Sequence, residues 1–317
     1  MKQLLALGLV ATASSWLNDA VTNNWNSDAY VWSREVVVVT GGSDGIGKIV
    51  VKLLAEKGIK VAVLDVQDLT YEAPSCVRFF KCDLTSPSAI ASTASSIRST
   101  LGNPTVLINN AGVARGKTIL ESSEKDINLT FNVNTFSHYY LTQQFLPSMI
   151  AHNHGMIVTV SSLAGYVAAS SMVDYAASKA AALAFHEGLS AELVTHYNAP
   201  KVRTVLMAPG YTRTALFEGF HPTGVLFPET VAEEIVKAVL AGRSKHMVLP
   251  DNASMVAPSL RGMPPWFQYG IRKGLGKLMK GWKGRQVAQP SEAEEKEEAM
   301  NEDEKKVSDS TVLVDGE

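Results

Sequence analysis

The feature that most restricts how this 317-residue chain can fold is a regular alternation between residues 35 and 250. Short β-branched and apolar runs occur at EVVVVT (35–40), KVAVLD (60–65), VRFFKCD (77–83), TVLINN (105–110), MIVTVSS (156–162), KVRTVLMAP (201–209) and HMVLP (246–250). Between them lie longer stretches of helical pattern near 46–57, 87–101, 124–150, 174–197 and 229–241. A strand with one face in water alternates apolar and polar residues, whereas several of these runs are almost continuously hydrophobic. They suit strands covered on both faces by helices. Strand–helix alternation with such strands predicts an α/β fold built on a parallel, doubly wound sheet. No internal repeat or linker divides it, so a single domain is expected.

The ends differ from the middle. We divide the chain into an apolar anchor segment (1–34), a Rossmann-type domain (35–260), a basic amphipathic segment (261–289) and a disordered acidic tail (290–317). The run LLALGLVATA at 4–13 follows Lys2 and is too short to span a bilayer cleanly. With its Ala-x-Ala at 11–13 it has the outline of a signal peptide, and a membrane-surface anchor is the preferred alternative. Residues 261–285 are basic without an acidic residue, interleaved with Trp266, Phe267, Leu275, Leu278, Met279 and Trp282. That mixture suits an anionic membrane surface. The tail, EAEEKEEAMNEDEKK, cannot bury enough apolar area to order itself.

A net charge of −2 gives no argument for nucleic acid. Cys76 and Cys82 make no disulfide framework, no metal-ligand spacing surrounds them, and no metal is expected. His152 and His154 read as surface residues.

In doubly wound sheets ligands bind beyond the carboxyl ends of the strands. The first run ends in TGGSDGIG (40–47) and opens into a helix. Gly41 and Gly45 allow a tight turn and close approach to a pyrophosphate, and Gly47 lets helix and strand pack. Ser43 and Ile46 complete the loop, and the helix N-terminus offers free N–H groups to phosphate. Asp65 ends the second run, where an acidic residue meets ribose hydroxyls. Its charge, with that of Asp44, disfavours a 2′-phosphate and points to NAD(H) over NADP(H). Asp83 ends the third run; it bonds an adenine edge, caps the helix near Pro87, or both.

Tyr175 and Lys179 stand one helical turn apart in SMVDYAASKAAA (171–182) and share a helix face. Such a pair arises often by chance. Its setting decides: TGGSDGIG, NNAG (109–112), FNVN ending at Asn134, the SS pair before LAG, YAASK (175–179) and PGYTRT (209–214) occur in order. This pattern resembles the short-chain dehydrogenase/reductase family over residues 35–250.

The resemblance implies an NAD(P)-dependent enzyme interconverting an alcohol and a ketone or aldehyde. Tyr175 would be the general acid/base. A free phenol titrates at about 10, and Lys179 with an oxidised nicotinamide would lower that value. Lys179 would also bond the nicotinamide ribose. Ser162 would orient the reacting oxygen, with Ser161 as the neighbouring alternative. Asn134 would hold a proton-relay water, Thr212 and Thr214 the nicotinamide carboxamide, and Asn110 and Gly112 the adenine-ribose side.

The chain is further similar to the retinol and 17β-hydroxysteroid dehydrogenase branch. This implies a lipophilic steroid-, retinoid- or lipid-like substrate and association with endoplasmic reticulum or lipid droplets, the active domain facing the cytosol. Leu216, Phe217, Phe220, Leu226 and Phe227 would suit an apolar substrate or plain packing. An NADP-dependent carbonyl reductase of a biosynthetic pathway, and a non-catalytic dinucleotide-binding scaffold, are the alternatives; a homodimer is left open. The set Asn134, Ser162, Tyr175 and Lys179 argues against the scaffold, which has no need of a tuned phenol.

Overall fold

In the computed structural model the described residues are 2–217, 224–279 and 282. Seven strands form one parallel sheet: β1 (Val36–Thr40), β2 (Lys60–Asp65), β3 (Val77–Lys81), β4 (Val106–Asn109), β5 (Gly155–Val160), β6 (Val202–Pro209) and β7 (Lys245–Leu249). Their order is β3-β2-β1-β4-β5-β6-β7, so the winding reverses between β1 and β4. In sheets of this topology ligands bind beyond the carboxyl ends of the strands at the switch point.

Strand alternation sends successive side chains to opposite faces. Val37 and Val39 of β1 pack with Val50, Val51 and Leu54 of α2 (Gly45–Ala55). On the same face lie Val231, Ile235 and Val239 of α7 (Pro228–Leu240). Val38 joins the other core. There it meets Ile90 and Ile97 of α3 (Pro87–Leu101), Leu141 and Phe145 of α5 (Ser137–His152), and Phe185 and Leu189 of α6 (Val173–Thr195). This two-faced burial is why the strand runs are continuously apolar.

The helical stretch expected at 124–150 is interrupted. Helix α4 (Glu124–Phe131) passes through a π turn at Asn132–Phe136 into α5. Ser123 and Asp126 form a capping box at its start. Helix α3 is capped by Ser86, whose hydroxyl accepts from the Ala89 N–H. The capping role offered for Asp83 is therefore corrected: its carboxylate accepts from the N–H and hydroxyl of Thr85 instead.

Helix α1 (Lys2–Thr22) leads into a segment docked on the amino edge of the sheet. The guanidinium of buried Arg203, at the start of β6, donates to the carbonyls of Asn23, Asn26 and Pro200. Tyr30 donates to the Gly155 carbonyl, and the Asn23 side chain pairs with the backbone of Ser244. His154 is not the surface residue its sequence suggests: its ring nitrogens meet Asp28 at 2.6 Å and Glu35 at 3.3 Å. Among the described residues no helix is long and apolar enough to cross a membrane.

At the opposite, carboxyl edge lie α8 (Val256–Ser259) and α9 (Pro265–Leu278). Arg261 donates to the Gly165 carbonyl and Ser170 to that of Gly276. The acidic tail, with Phe220, Lys280 and Lys283, lies outside the described residues.

Candidate active site

The glycine loop joins β1 to α2 at the switch point. Gly41 has φ +65°, a region that favours glycine, and a Cβ at Gly47 would collide with the Gly41 carbonyl. Only a bare backbone fits there, as a loop cradling a pyrophosphate requires. Asn110 clamps this loop, its amide donating to the carbonyls of Thr40 and Gly41. Asp65 accepts from the N–H groups of Ser43 and Gln67, which holds its carboxylate beside the loop. The Ser43 hydroxyl is buried and turned to the Gln67 carbonyl, so this residue shapes the loop through its backbone. Ile46 is half-buried against the core. From the far side, Thr214 approaches Gly45: a Cβ there would lie 3.6 Å from its methyl group. Thr212 is buried, with its hydroxyl on the Gly210 carbonyl.

The structure brings Ser162, Tyr175 and Lys179 together at the ends of β5 and α6. Of the two serines, Ser161 donates to the Lys179 carbonyl at 2.8 Å and is committed to packing. Ser162 lies beside Tyr175 and draws its pKa downward, but burial dominates and pushes the phenol up to about 12. The sequence leads one to expect Lys179 to lower that value; in this structure it does not outweigh burial. Burial also brings Lys179 down to about 8. Its ammonium donates to the Val160 carbonyl at 2.9 Å and lies 5.9 Å from the Tyr175 ring centre.

Asn134 sits in the π turn, fully buried. Its Oδ1 accepts from the Val113 N–H at 2.8 Å, and its Nδ2 donates to the Val113 carbonyl at 2.8 Å and to Ser178 at 3.0 Å. The side chain therefore grips the loop after β4 much as a neighbouring strand would. Within that loop, a Cβ at Gly112 would lie 3.5 Å from both Asn134 Oδ1 and Lys179 Nζ. Asp126 fastens the continuation of the loop, receiving Arg115 at 2.8 Å and Lys117 at 2.6 Å. Burial alone would raise its pKa, but bonds from Lys117, Ser123 and Arg115 outweigh it and hold the carboxyl well below the usual range.

One wall of the site was hidden in the sequence. Tyr175 clusters with Ala114, Met172, Met279 and Trp282, flanked by Ala164, Ala169, Leu216 and Phe217. Phe217 meets Tyr175 edge-on and stacks on Trp282. Met279 and Trp282, expected at a membrane surface, instead pack inward, in one apolar cluster with Tyr175. Leu226 packs against the main core, and Phe227 is exposed beneath Arg213. Of the apolar loop residues, only Leu216 and Phe217 therefore reach the site among the described residues.

A glycine loop open to a pyrophosphate and a buried phenol beside a lysine suit the chemistry of an alcohol–carbonyl oxidoreductase. The sequence comparisons agree: a family model described as short chain dehydrogenase matches residues 35–223, and the chain belongs to that family. It is 46% identical over 207 residues to "Dehydrogenase RED2" of Cochliobolus heterostrophus, covering 64% of this chain and 78% of the relative. It is 30% identical over 252 residues to human "Estradiol 17-beta-dehydrogenase 11", covering 76% of this chain and 83% of the relative. A crystal structure of a metagenomic short-chain oxidoreductase in complex with NADP aligns with TM-score 0.58 and 25% identity, over 68% of this chain and 96% of the other. The protein is an NAD(P)-dependent oxidoreductase acting on CH–OH groups, similar to the retinol and 17β-hydroxysteroid dehydrogenase branch.

Proposed function

We propose that this enzyme interconverts a lipophilic alcohol and its ketone or aldehyde at Ser162, Tyr175, Lys179 and Asn134, with NAD(H) preferred over NADP(H). The observation that carries this reading is the position of Tyr175, a buried phenol with Ser162 and Lys179 beside it and an otherwise apolar wall. When bound, the cofactor supplies or accepts the hydride. At neutral pH a phenol titrating near 12 carries its proton, so Tyr175 is set to donate to a carbonyl oxygen in reduction. Ser162 would hold the same oxygen. In oxidation the proton returns to Tyr175, and the Lys179 ammonium stabilises the phenolate formed beforehand. Asn134 would shape the loop on which the nicotinamide end rests. Gly41, Gly45, Gly47 and Asp65 would hold the phosphates and ribose, and Asp83, Asn110, Gly112, Thr212 and Thr214 would line the rest of the groove.

Support for NAD(H) comes from Asp65 and Asp44, whose charges would oppose a 2′-phosphate. A second reading, an NADP-dependent carbonyl reductase, draws on Lys48, whose ammonium reaches Thr70 in the loop after β2.

The name of the steroid-acting relative supports a lipophilic substrate, and the surface supports delivery from a membrane. Met263, Trp266, Phe267 and Tyr269 are exposed on or next to α9, which also carries Arg272, Lys273 and Lys277. Trp16, Leu17 and Val21 are exposed on α1. We place the enzyme at endoplasmic reticulum or lipid droplets, its domain facing the cytosol.

The test is turnover of a panel of lipophilic alcohols and ketones with each cofactor, for the wild type and Tyr175→Phe. The variant should bind NADH normally and lose at least about two orders of magnitude in turnover. Near-normal activity would remove Tyr175 from the mechanism.

A further inference from the structure

Trp282 lies beyond the residues that the family model matches, yet its side chain belongs to the cluster around Tyr175. It is 6% exposed. Its ring stacks on Phe217 with centres 5.2 Å apart and planes at 27°. Phe217 in turn stands at 89° to Tyr175, 6.2 Å away, so the indole is two successive ring contacts from the phenol. The segment carrying it is fastened on the site side. Ser170 ties α9, and Arg261 the turn that precedes it, to the loop between β5 and α6, and the backbone N–H of Trp282 donates to the Met279 carbonyl.

The indole Nε1 is buried and has no hydrogen-bond partner among the described residues. Native proteins pair nearly all buried donors, so an exception at the wall of a site points to a partner that arrives with the ligand. An indole N–H can only donate, which makes that partner an acceptor. The surrounding surfaces are aromatic faces and the apolar Ala114, Met172 and Met279. They match a flat, apolar ligand body.

We propose that Trp282 determines specificity, its indole N–H pairing with a second oxygen of the substrate, remote from the reacting carbon across a flat apolar skeleton. The substrate class is then a ring-containing ketone or alcohol bearing a further carbonyl, hydroxyl or ether oxygen. This rests on Tyr175 marking the reacting end.

The test uses two bicyclic probes, 2-decalone and a decalin dione whose second carbonyl lies on the far ring. Binding to the NADH complex is followed by cofactor fluorescence, for wild type and Trp282→Phe, which keeps the ring stack and removes the donor. The wild type should bind the dione about tenfold more tightly, the worth of one net hydrogen bond. Trp282→Phe should bind the two alike, with its affinity for the monoketone within about twofold of wild type. A preference that persists in the variant, or is absent from the wild type, overturns the proposal. In the wild-type protein alone, the slowest-exchanging indole N–H resonance should move downfield with the dione and stay with the monoketone; an unmoved resonance overturns it too. Probes that bind with this preference but are never reduced would sink the reading of Tyr175 as the reacting end and leave the donor assignment standing.

Discussion

Replacing Asn134 with alanine separates an architectural role from a chemical one. The side chain makes three hydrogen bonds, two of them to the N–H and carbonyl of the partly buried Val113. Alanine removes the side-chain partner of both backbone groups. Each lost bond is worth about 1 kcal/mol net, so the total should be about 3 kcal/mol. For a chain of this size that corresponds to a fall in Tm of about 5 °C. The loop it releases carries Gly112, which faces Lys179, so affinity for NADH should weaken as well. Asn134→Asp should be nearly as damaging, since it keeps the acceptor for the Val113 N–H but sets an oxygen against the Val113 carbonyl. Thermal unfolding with and without NADH, together with NADH titration, reads all three effects. A variant that loses turnover while Tm and NADH affinity stay at wild-type values would refute the reasoning and make Asn134 a purely catalytic group.

Asp65→Ala should narrow the gap between NADH and NADPH affinities measured by fluorescence titration; a wild type that binds NADPH more tightly would contradict the charge argument. Lys179 is held near 8 in the folded protein, below the usual 10.5. Between those values the unfolded chain binds the extra proton, so this group adds stability as pH rises, on the order of 1 kcal/mol per unit. Urea unfolding without cofactor at pH 7 and pH 9.5 should show wild type gaining on Lys179→Met; parallel profiles would deny the shift. Arg203→Met should cost about 3–5 kcal/mol by leaving the carbonyls of Asn23 and Asn26 unpaired, and deleting residues 1–34 should cost a similar amount. Deletion of residues 1–18, which spares those contacts, should leave the urea midpoint nearly unchanged.

The strands were legible because burial on both faces leaves its mark in every residue of a run, as in VVVVT. The glycine loop and the Tyr175–Lys179 pair were legible because their partners are local in sequence. Contacts across long separations were not. Nothing near His154 announces that Asp28 and Glu35 will close on it, 126 and 119 residues away. Trp282 has the local look of a membrane-facing aromatic, and only its packing on Phe217 turns it inward. Period-two alternation says that one of Ser161 and Ser162 enters the site without saying which; in the structure Ser161 donates to the Lys179 carbonyl and Ser162 lies beside Tyr175.

The π turn at Asn132–Phe136 has a consequence for chain length. A helix advances about 100° per residue, so one residue more or fewer changes the rotational phase of everything on one side relative to the other. The turn absorbs one extra residue and sets the phase between α4 and α5. Deleting a single residue there would relax the stretch to a continuous α-helix with Glu124–Phe131 still in phase with α5, whereas tightening the turn to α geometry with every residue kept would rotate Glu124–Phe131 by about 100° relative to α5. Asp126 would swing away from Arg115 and Lys117, and Thr130 from Asp174. The wide turn thus keeps in place contacts up to two helical turns away, and a one-residue deletion within it should spare them.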